Sequence, residues 1–424
     1  MSPARSIFDR LVGTFAASGT TRRADRLGRS LHTLISERGE ATGATLARRA
    51  VALYRGLDPA GRLRLFETLA RDFSPDRDAV LAAANAYHAD PSAAHLAVLQ
   101  RVAEPPRQEV FRRMNMAPGG TAALVELRRD LLEAMRDHPE LAAVDQDLTH
   151  LLSSWFNRGF LELKRIDWST PAAVCEKLIQ YEAVHEIRGF PDLKRRLERD
   201  RRCFAFFHPA LPGEPLIFVE VAFVNEMPSA VGPILAMDGA VGDPRQARCA
   251  VFYSITSCQA GLKGISFGNF LIKQVAEDLR AELPNLKVFA TLSPVPGLRR
   301  WVEKRTGGRV PTGRGELESL AAWYLTREWR EGHVLDPVAR FHLGNGARLD
   351  RINFAADASA KGEAQSFGLM VNYVYDLADV ERNHEAYVKE HRVAASGAVE
   401  KLAREAVIPG AAPAALARDP SSVP

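Results

Sequence analysis

The first chemistry the sequence offers lies in a glycine-rich turn. The run AVFYSIT (250–256) reads as a strand, and SCQAGLKGISFG (257–268) follows it as a loop. From about Gly268 to Leu283, Leu271, Val275 and Leu279 recur at helical spacing until Pro284 ends the helix. A loop between a strand and a helix leaves backbone N–H groups free at the positive end of the helix, a ready anion site suited to a diphosphate. Gly261, Gly264 and Gly268 remove side chains that would hold phosphates away. No Gly-Lys-Ser/Thr follows, so this is not a Walker A loop, and the glycine spacing is not that of a dinucleotide fingerprint.

Other polar positions carry weaker signals. Ser293, before Pro294 at the end of the strand Val288–Leu292, reads by itself as a turn or cap residue. His342, between Phe341 and Leu343, reads by itself as a packed, hydrogen-bonded side chain. Tyr373 and Tyr375 point the same way on a strand and either line a pocket or fill the core. Asn345 and Asn372 are candidate supporting amides, Asp357 a turn cap, and His208, before Pro209, a structural residue.

The elements that must position these residues divide near residue 160. Before it, helix follows helix, with Leu65, Phe66, Leu69, Phe73 and Leu124, Leu127, Leu131, Met135 at helical spacing. Ser74-Pro75 and Asp90-Pro91 are expected to start helices as N-cap and first helical residue. No catalytic constellation occurs there, so packing or oligomerisation is its expected role. Beyond it, a helix from Thr170-Pro171 to Gly189 carries Val174, Leu178, Tyr181 and His185. Strands are expected at Cys203–Phe207, Leu216–Val224, Cys249–Ile255, Val288–Leu292, Arg348–Phe354 and Gly368–Tyr375. Further helices are expected over Leu320–Gly332 and Val380–Val407, followed by a disordered Ala/Pro tail. The expected fold is α+β with two domains: an all-α bundle over 1–160 and a mixed α/β domain over 161–424.

Composition narrows the function classes. At 424 residues, 46% hydrophobic and 25% charged, the chain can bury sizeable cores and is not a disordered sequence. Its 56 basic and 52 acidic side chains nearly cancel to a net +4, which argues against nucleic acid as a partner. Cys175, Cys203, Cys249 and Cys258 form neither a disulfide framework nor a Cys-x-x-Cys metal pair and fit a reducing compartment. The best apolar run, Leu216–Val224, is far short of the about 20 residues that a membrane helix needs, and it contains Glu220. The Arg- and Ser-bearing N-terminus is interrupted by Asp9 and Asp25, and the Ser-Ser-Val-Pro end is no peroxisomal address, so a cytoplasmic location is expected.

The loop resembles the acyl-CoA turn of the GNAT N-acetyltransferase superfamily. It departs from that pattern in placing three residues between Gly264 and Gly268. Longer blocks are more specific. FYSITSCQAGLKGISFGNFLIKQV, LSPVPGLRRW, DPVARFHLGNGARLDRINFAADAS and GLMVNYVY, preceded by FLELKRIDWSTPAAVCEKL and PGEPLIFVEVAFV, run in order from about residue 158 to 376. Together they resemble the malonyl-CoA decarboxylase family.

That resemblance implies a GNAT-type catalytic domain and the conversion of malonyl-CoA to acetyl-CoA and carbon dioxide. No metal or prosthetic group is implied. It carries over Ser293 and His342 as the catalytic pair, and Lys263, Gly264, Ile265, Ser266, Phe267, Gly268 and Asn269 as the coenzyme A loop. Tyr373, Tyr375 and Asn345 become possible pocket residues. Loss of carbon dioxide leaves an enolate on the thioester, to be protonated at C2, and an imidazole titrating near pH ~6.5 would suit that step. The expected partners are malonyl-CoA, acetyl-CoA and further copies of the chain as a dimer or tetramer. Neither a membrane nor nucleic acid is expected. A CoA-dependent acyltransferase and a non-catalytic acyl-CoA sensor are the competing classes.

Overall fold

The computed structural model describes residues 22–265, 271–311 and 313–408. The expected disorder of the Ala/Pro tail falls almost entirely outside these residues. The chain divides into two compact units. The first comprises Met1–Leu161 with Phe207–Glu214 and Gln259–Phe267. It therefore takes in two segments that the sequence alone assigns to the 161–424 domain, one of them most of the expected coenzyme A loop.

The first unit is helical: α1 (22–36), α2 (Glu40–Arg55), α3 (Pro59–Asp72), α4 (Arg77–Ala89), α5 (Ala93–Ala103), α6 (Pro106–Asn115), α7 (Gly120–Ala134) and α8 (Ala142–Trp155). Leu65, Phe66, Leu69, Phe73, Leu124, Leu127 and Leu131 are buried as their spacing predicts, while Met135 is only half-buried. Two helix starts differ from expectation. Asp76 caps α4 by accepting from the Ala79 N–H at 2.9 Å, and Ser92 caps α5 through the His95 N–H. Each side chain stands three residues before the N–H it satisfies, which is the cap geometry. Ser74 instead donates back to the Ala70 carbonyl at the end of α3.

The second unit is built on an eight-stranded sheet: β1 (Glu162–Ile166), β2 (Arg201–Phe207), β3 (Ile217–Val224), β4 (Cys249–Ser257), β5 (Val288–Thr291), β6 (Ser293–Pro294), β9 (Arg348–Asn353) and β10 (Met370–Val374). A separate hairpin pairs β7 (Trp329–Arg330) with β8 (His333–Val334). The main order is β1-β2-β3-β4-β5-β10-β6, with β9 also on β10. From β2 onward all pairings are antiparallel except β4 with β5. Ala222, Val251, Tyr253, Ala290, Leu292 and Met370 form a core on this sheet. The helices of the unit are α9 (Ala172–Tyr181), α10 (Phe190–Arg196), α11 (Gly232–Leu235), α12 (Leu271–Glu282), α13 (Leu298–Arg305), α14 (Arg314–Arg327), α15 (Pro337–Gly344), α16 (Ala360–Ser366), α17 (Val380–Glu390) and α18 (Gly397–Glu405).

Three expected helices have other bounds. The one from Pro171 stops at Tyr181, because the Glu182 carboxylate accepts the N–H groups of Val184 and His185 and turns the chain. His185 therefore lies off the helix. The expected helix to Gly332 stops at Arg327, and the hairpin follows, with Glu331 and Gly332 both at positive φ as a tight turn requires. The expected helix Val380–Val407 is two helices. His391 in left-handed conformation ends α17, the 394–396 segment hydrogen-bonds to Leu349 of β9, and Ser396 caps α18.

Candidate active site

Strand β10 organises the site. It pairs with β5 at Val374–Ala290 and with β6 at Val371–Ser293. Ser293 is the first residue of β6, and Pro294 follows it opposite Met370. Helix α15 supplies the facing group. Asp336 caps it, its Oδ1 accepting from Val338 and Ala339 at 2.9 and 3.0 Å, with Pro337 in the first turn. Ala339, His342 and Leu343 form the buried face, at the i, i+3, i+4 spacing of one helix side.

These elements bring together residues 49 apart in sequence: Ser293 Oγ lies 3.0 Å from His342 Nε2. On the other side of the ring, Nδ1 lies 2.8 Å from the Tyr375 hydroxyl. Ser293 Oγ donates to Thr291 Oγ1 at 2.8 Å, and the Tyr373 N–H donates to the same Oγ1 at 3.2 Å. The Tyr373 ring stacks on the imidazole at 4.6 Å and 24°. With the serine proton on Thr291, the consistent tautomer has Nε2–H donating to Ser293 and Nδ1 accepting from Tyr375.

All of these side chains are buried. Burial pushes the His342 imidazole down to about 3 and the Tyr375 phenol well up, so both are neutral near pH 7. The expectation of an imidazole titrating near its ordinary value is thus not met in the free protein. Desolvation of the buried ring penalises the imidazolium.

The other sequence candidates fall out as follows. Asn372 supports the site: its Nδ2 donates to the Thr291 carbonyl at 2.7 Å, and its Oδ1 accepts from Arg351 and Asn353. Asn345 closes the end of α15, with Nδ2 donating to the Phe341 carbonyl at 2.7 Å. Asp357 accepts from the Ser359 N–H in a turn, and His208 accepts from the Ala210 N–H. Thr291 and Asp336 were not anticipated. Thr291 shares a strand face with Ser293, two residues on, and Asp336-Pro337 is a cap-plus-proline helix start; either pattern could have found them.

Of the expected coenzyme A loop, Ser266, Phe267, Gly268 and Asn269 lie outside the described residues. Lys263 and Gly264 are exposed and Ile265 is buried. Gly264 has φ +79°, and a Cβ there would meet nothing within 4 Å. Gly261 has a different reason to be glycine than expected. A Cβ there would lie 1.9 Å from the Val125 carbonyl oxygen of α7, so it permits close backbone packing within the helical unit.

Comparison with known proteins matches two family models. That described as the malonyl-CoA decarboxylase C-terminal domain covers residues 159–312 and 309–412, and that of the malonyl-CoA decarboxylase N-terminal domain covers 73–156. A mitochondrial malonyl-CoA decarboxylase from Anser anser anser is 36% identical over 406 residues, 82% of this chain and 81% of that one. Among solved structures, malonyl-CoA decarboxylase from Rhodopseudomonas palustris is 47% identical with a TM-score of 0.85, covering 89% of this chain and 99% of that one. The Agrobacterium vitis enzyme of the same name is 46% identical with a TM-score of 0.83, at the same coverage.

Proposed function

The chain belongs to the malonyl-CoA decarboxylase family, and on that footing we propose that it releases carbon dioxide from malonyl-CoA to give acetyl-CoA, with Ser293 and His342 at the reacting atoms. The observation that carries the assignment of the pair is the 3.0 Å contact between Ser293 Oγ and His342 Nε2 within a buried cluster of neutral side chains.

In the proposed reaction the bond from C2 to the carboxylate breaks, and its electron pair passes into the thioester as an enolate. One proton then joins C2, so each turnover takes up one proton from water. No prosthetic group is invoked, because the thioester itself accepts the electron pair. A hydroxyl aimed at the developing charge contributes roughly 3 kcal/mol in such a water-poor setting, and Ser293 is assigned to orient the malonyl group. His342 is assigned to deliver the proton. It is neutral before substrate arrives, and a malonyl carboxylate nearby favours the imidazolium, which supplies the proton where it is used. Tyr375 serves both states of the ring, donating to Nδ1 of the neutral form and accepting from Nδ1–H of the charged one.

The diphosphate of coenzyme A is assigned to backbone N–H groups of residues 263–269. A homo-oligomer, dimer or tetramer, formed through the helical unit is also proposed. Leu81, Leu96 and Val98 are exposed there, and α5 buries none of its residues. Four buried free thiols support a reducing, cytoplasmic location. Among the described residues no helix is long and apolar enough to cross a membrane.

The test is incubation with malonyl-CoA and no other substrate. Formation of acetyl-CoA and carbon dioxide is expected. Tight binding without turnover would instead favour the acyl-CoA sensor, and turnover only with an added acceptor would favour the acyltransferase.

A further inference from the structure

In a trans peptide the C=O and N–H of one plane point in opposite directions, so whatever fixes the carbonyl also aims the amide of the next residue. In the helical unit, Arg128 of α7 does this to the glycine-rich turn. Its Nη1 donates to the carbonyls of Gly261 and Lys263, at 2.8 Å each. Its Nε is held at 2.8 Å by Asp145 of α8, and the arginine is buried. Gly261 allows the turn to sit this close, since any Cβ would collide with the Val125 carbonyl. With the Lys263 carbonyl bound inward, the Gly264 N–H must face away from Arg128. Gly264 is exposed, the space beside it is open, and its N–H has no acceptor among the described residues.

We propose that Arg128 is a positioning residue for coenzyme A recognition: by holding the Gly261 and Lys263 carbonyls, it aims the Gly264 N–H at the diphosphate. This rests on the assignment of the loop to coenzyme A, and it gives the helical unit a part in substrate binding beyond packing. Arg128 touches no reacting atom. Its effect belongs in affinity for the nucleotide end of the substrate.

The test compares malonyl-CoA with malonyl-pantetheine, the same thioester lacking the diphosphate and nucleotide. Arg128→Lys keeps a charge beside Asp145 but loses the planar group that holds Asp145 through Nε and both carbonyls through Nη1 at once. Loss of one charge-assisted hydrogen bond predicts a KM for malonyl-CoA raised roughly tenfold, with kcat changed much less. The preference for malonyl-CoA over malonyl-pantetheine should shrink by the same factor. Gly261→Ala, which pushes the turn off α7, should shrink that preference too. In the unaltered chain, hydrogen exchange at the Gly264 amide should slow when acetyl-CoA is added, a measurement that needs no variant to fold. An unchanged preference in the folded variants, or unchanged exchange at Gly264, overturns the role of Arg128. A parent protein that does not prefer malonyl-CoA over malonyl-pantetheine overturns the loop assignment itself.

Discussion

Arg196 and His342 both sit in buried polar clusters of the β-rich unit, and the two clusters are satisfied in opposite ways. Each guanidinium nitrogen of Arg196 has an acceptor: Asp192 at 2.9 Å, Glu220 at 2.8 Å, and the His185 and Glu186 carbonyls at 2.9 and 3.1 Å. Both ring nitrogens of His342 meet only neutral hydroxyls, those of Ser293 and Tyr375. In the first cluster the guanidinium is fully held by ionic and carbonyl acceptors, although Glu220 Oε1 beside it has no hydrogen-bond partner among the described residues. The second is neutral and made of rotatable O–H groups, which can reverse their donors when a charge arrives. A guanidinium held on every nitrogen reads as structural, whereas neutral, reversible partners fit the chemistry proposed for His342.

The comparison breaks most visibly in a double variant. Ser293→Ala/His342→Asn should lower kcat by roughly 10²–10⁴-fold, the usual range for general acid catalysis. Because the two residues act as a unit, each single variant should account for much of that loss, and the effects should not add. Additive single losses would show that the 3.0 Å contact has no catalytic meaning. Arg196→Met should do the reverse, leaving Glu220 and Asp192 buried without their partner. That should cost about 3–5 kcal/mol in denaturant unfolding, with kcat of the folded fraction nearly intact.

A smaller effect sharpens the account through pH. The folded imidazole of His342, at about 3, lies below its ordinary value of 6.5, so the unfolded chain binds its proton first as pH falls. Its contribution to stability is whole above pH 6.5 and is lost between there and about pH 3. His185, pushed down to about 4 mainly by burial, adds to the same fall. His342→Asn removes only the first of these. Between pH 6.5 and 4 that variant should therefore lose less stability than the parent chain, and identical pH profiles would contradict a buried neutral His342.

Much of the scaffold was legible in the residue pattern, because burial and periodicity are local. Leu124, Leu127 and Leu131 mark α7, and the β-branched and aromatic run 250–256 marks β4. Element ends were less legible, because tertiary partners decide them. The Glu182 carboxylate ends one helix, and the pairing of 394–396 with Leu349 splits another. The proposed catalytic pair is accessible only through resemblance: nothing local ties Ser293 to a histidine 49 residues on until β6 and α15 meet. The low proton affinity of His342 arises from burial, which one sequence does not display. Arg128 is one arginine among many on helices, and what distinguishes it is that its two carbonyl partners, Gly261 and Lys263, belong to the glycine-rich turn.

The most direct test of the account is a single-turnover measurement with His342→Asn in excess over malonyl-CoA, alongside the affinity of the same variant for acetyl-CoA. The account predicts a chemical step slowed by roughly 10²-fold or more, with acetyl-CoA affinity close to that of the parent chain. A single-turnover rate equal to the parent's would contradict it and leave His342 a packed core residue.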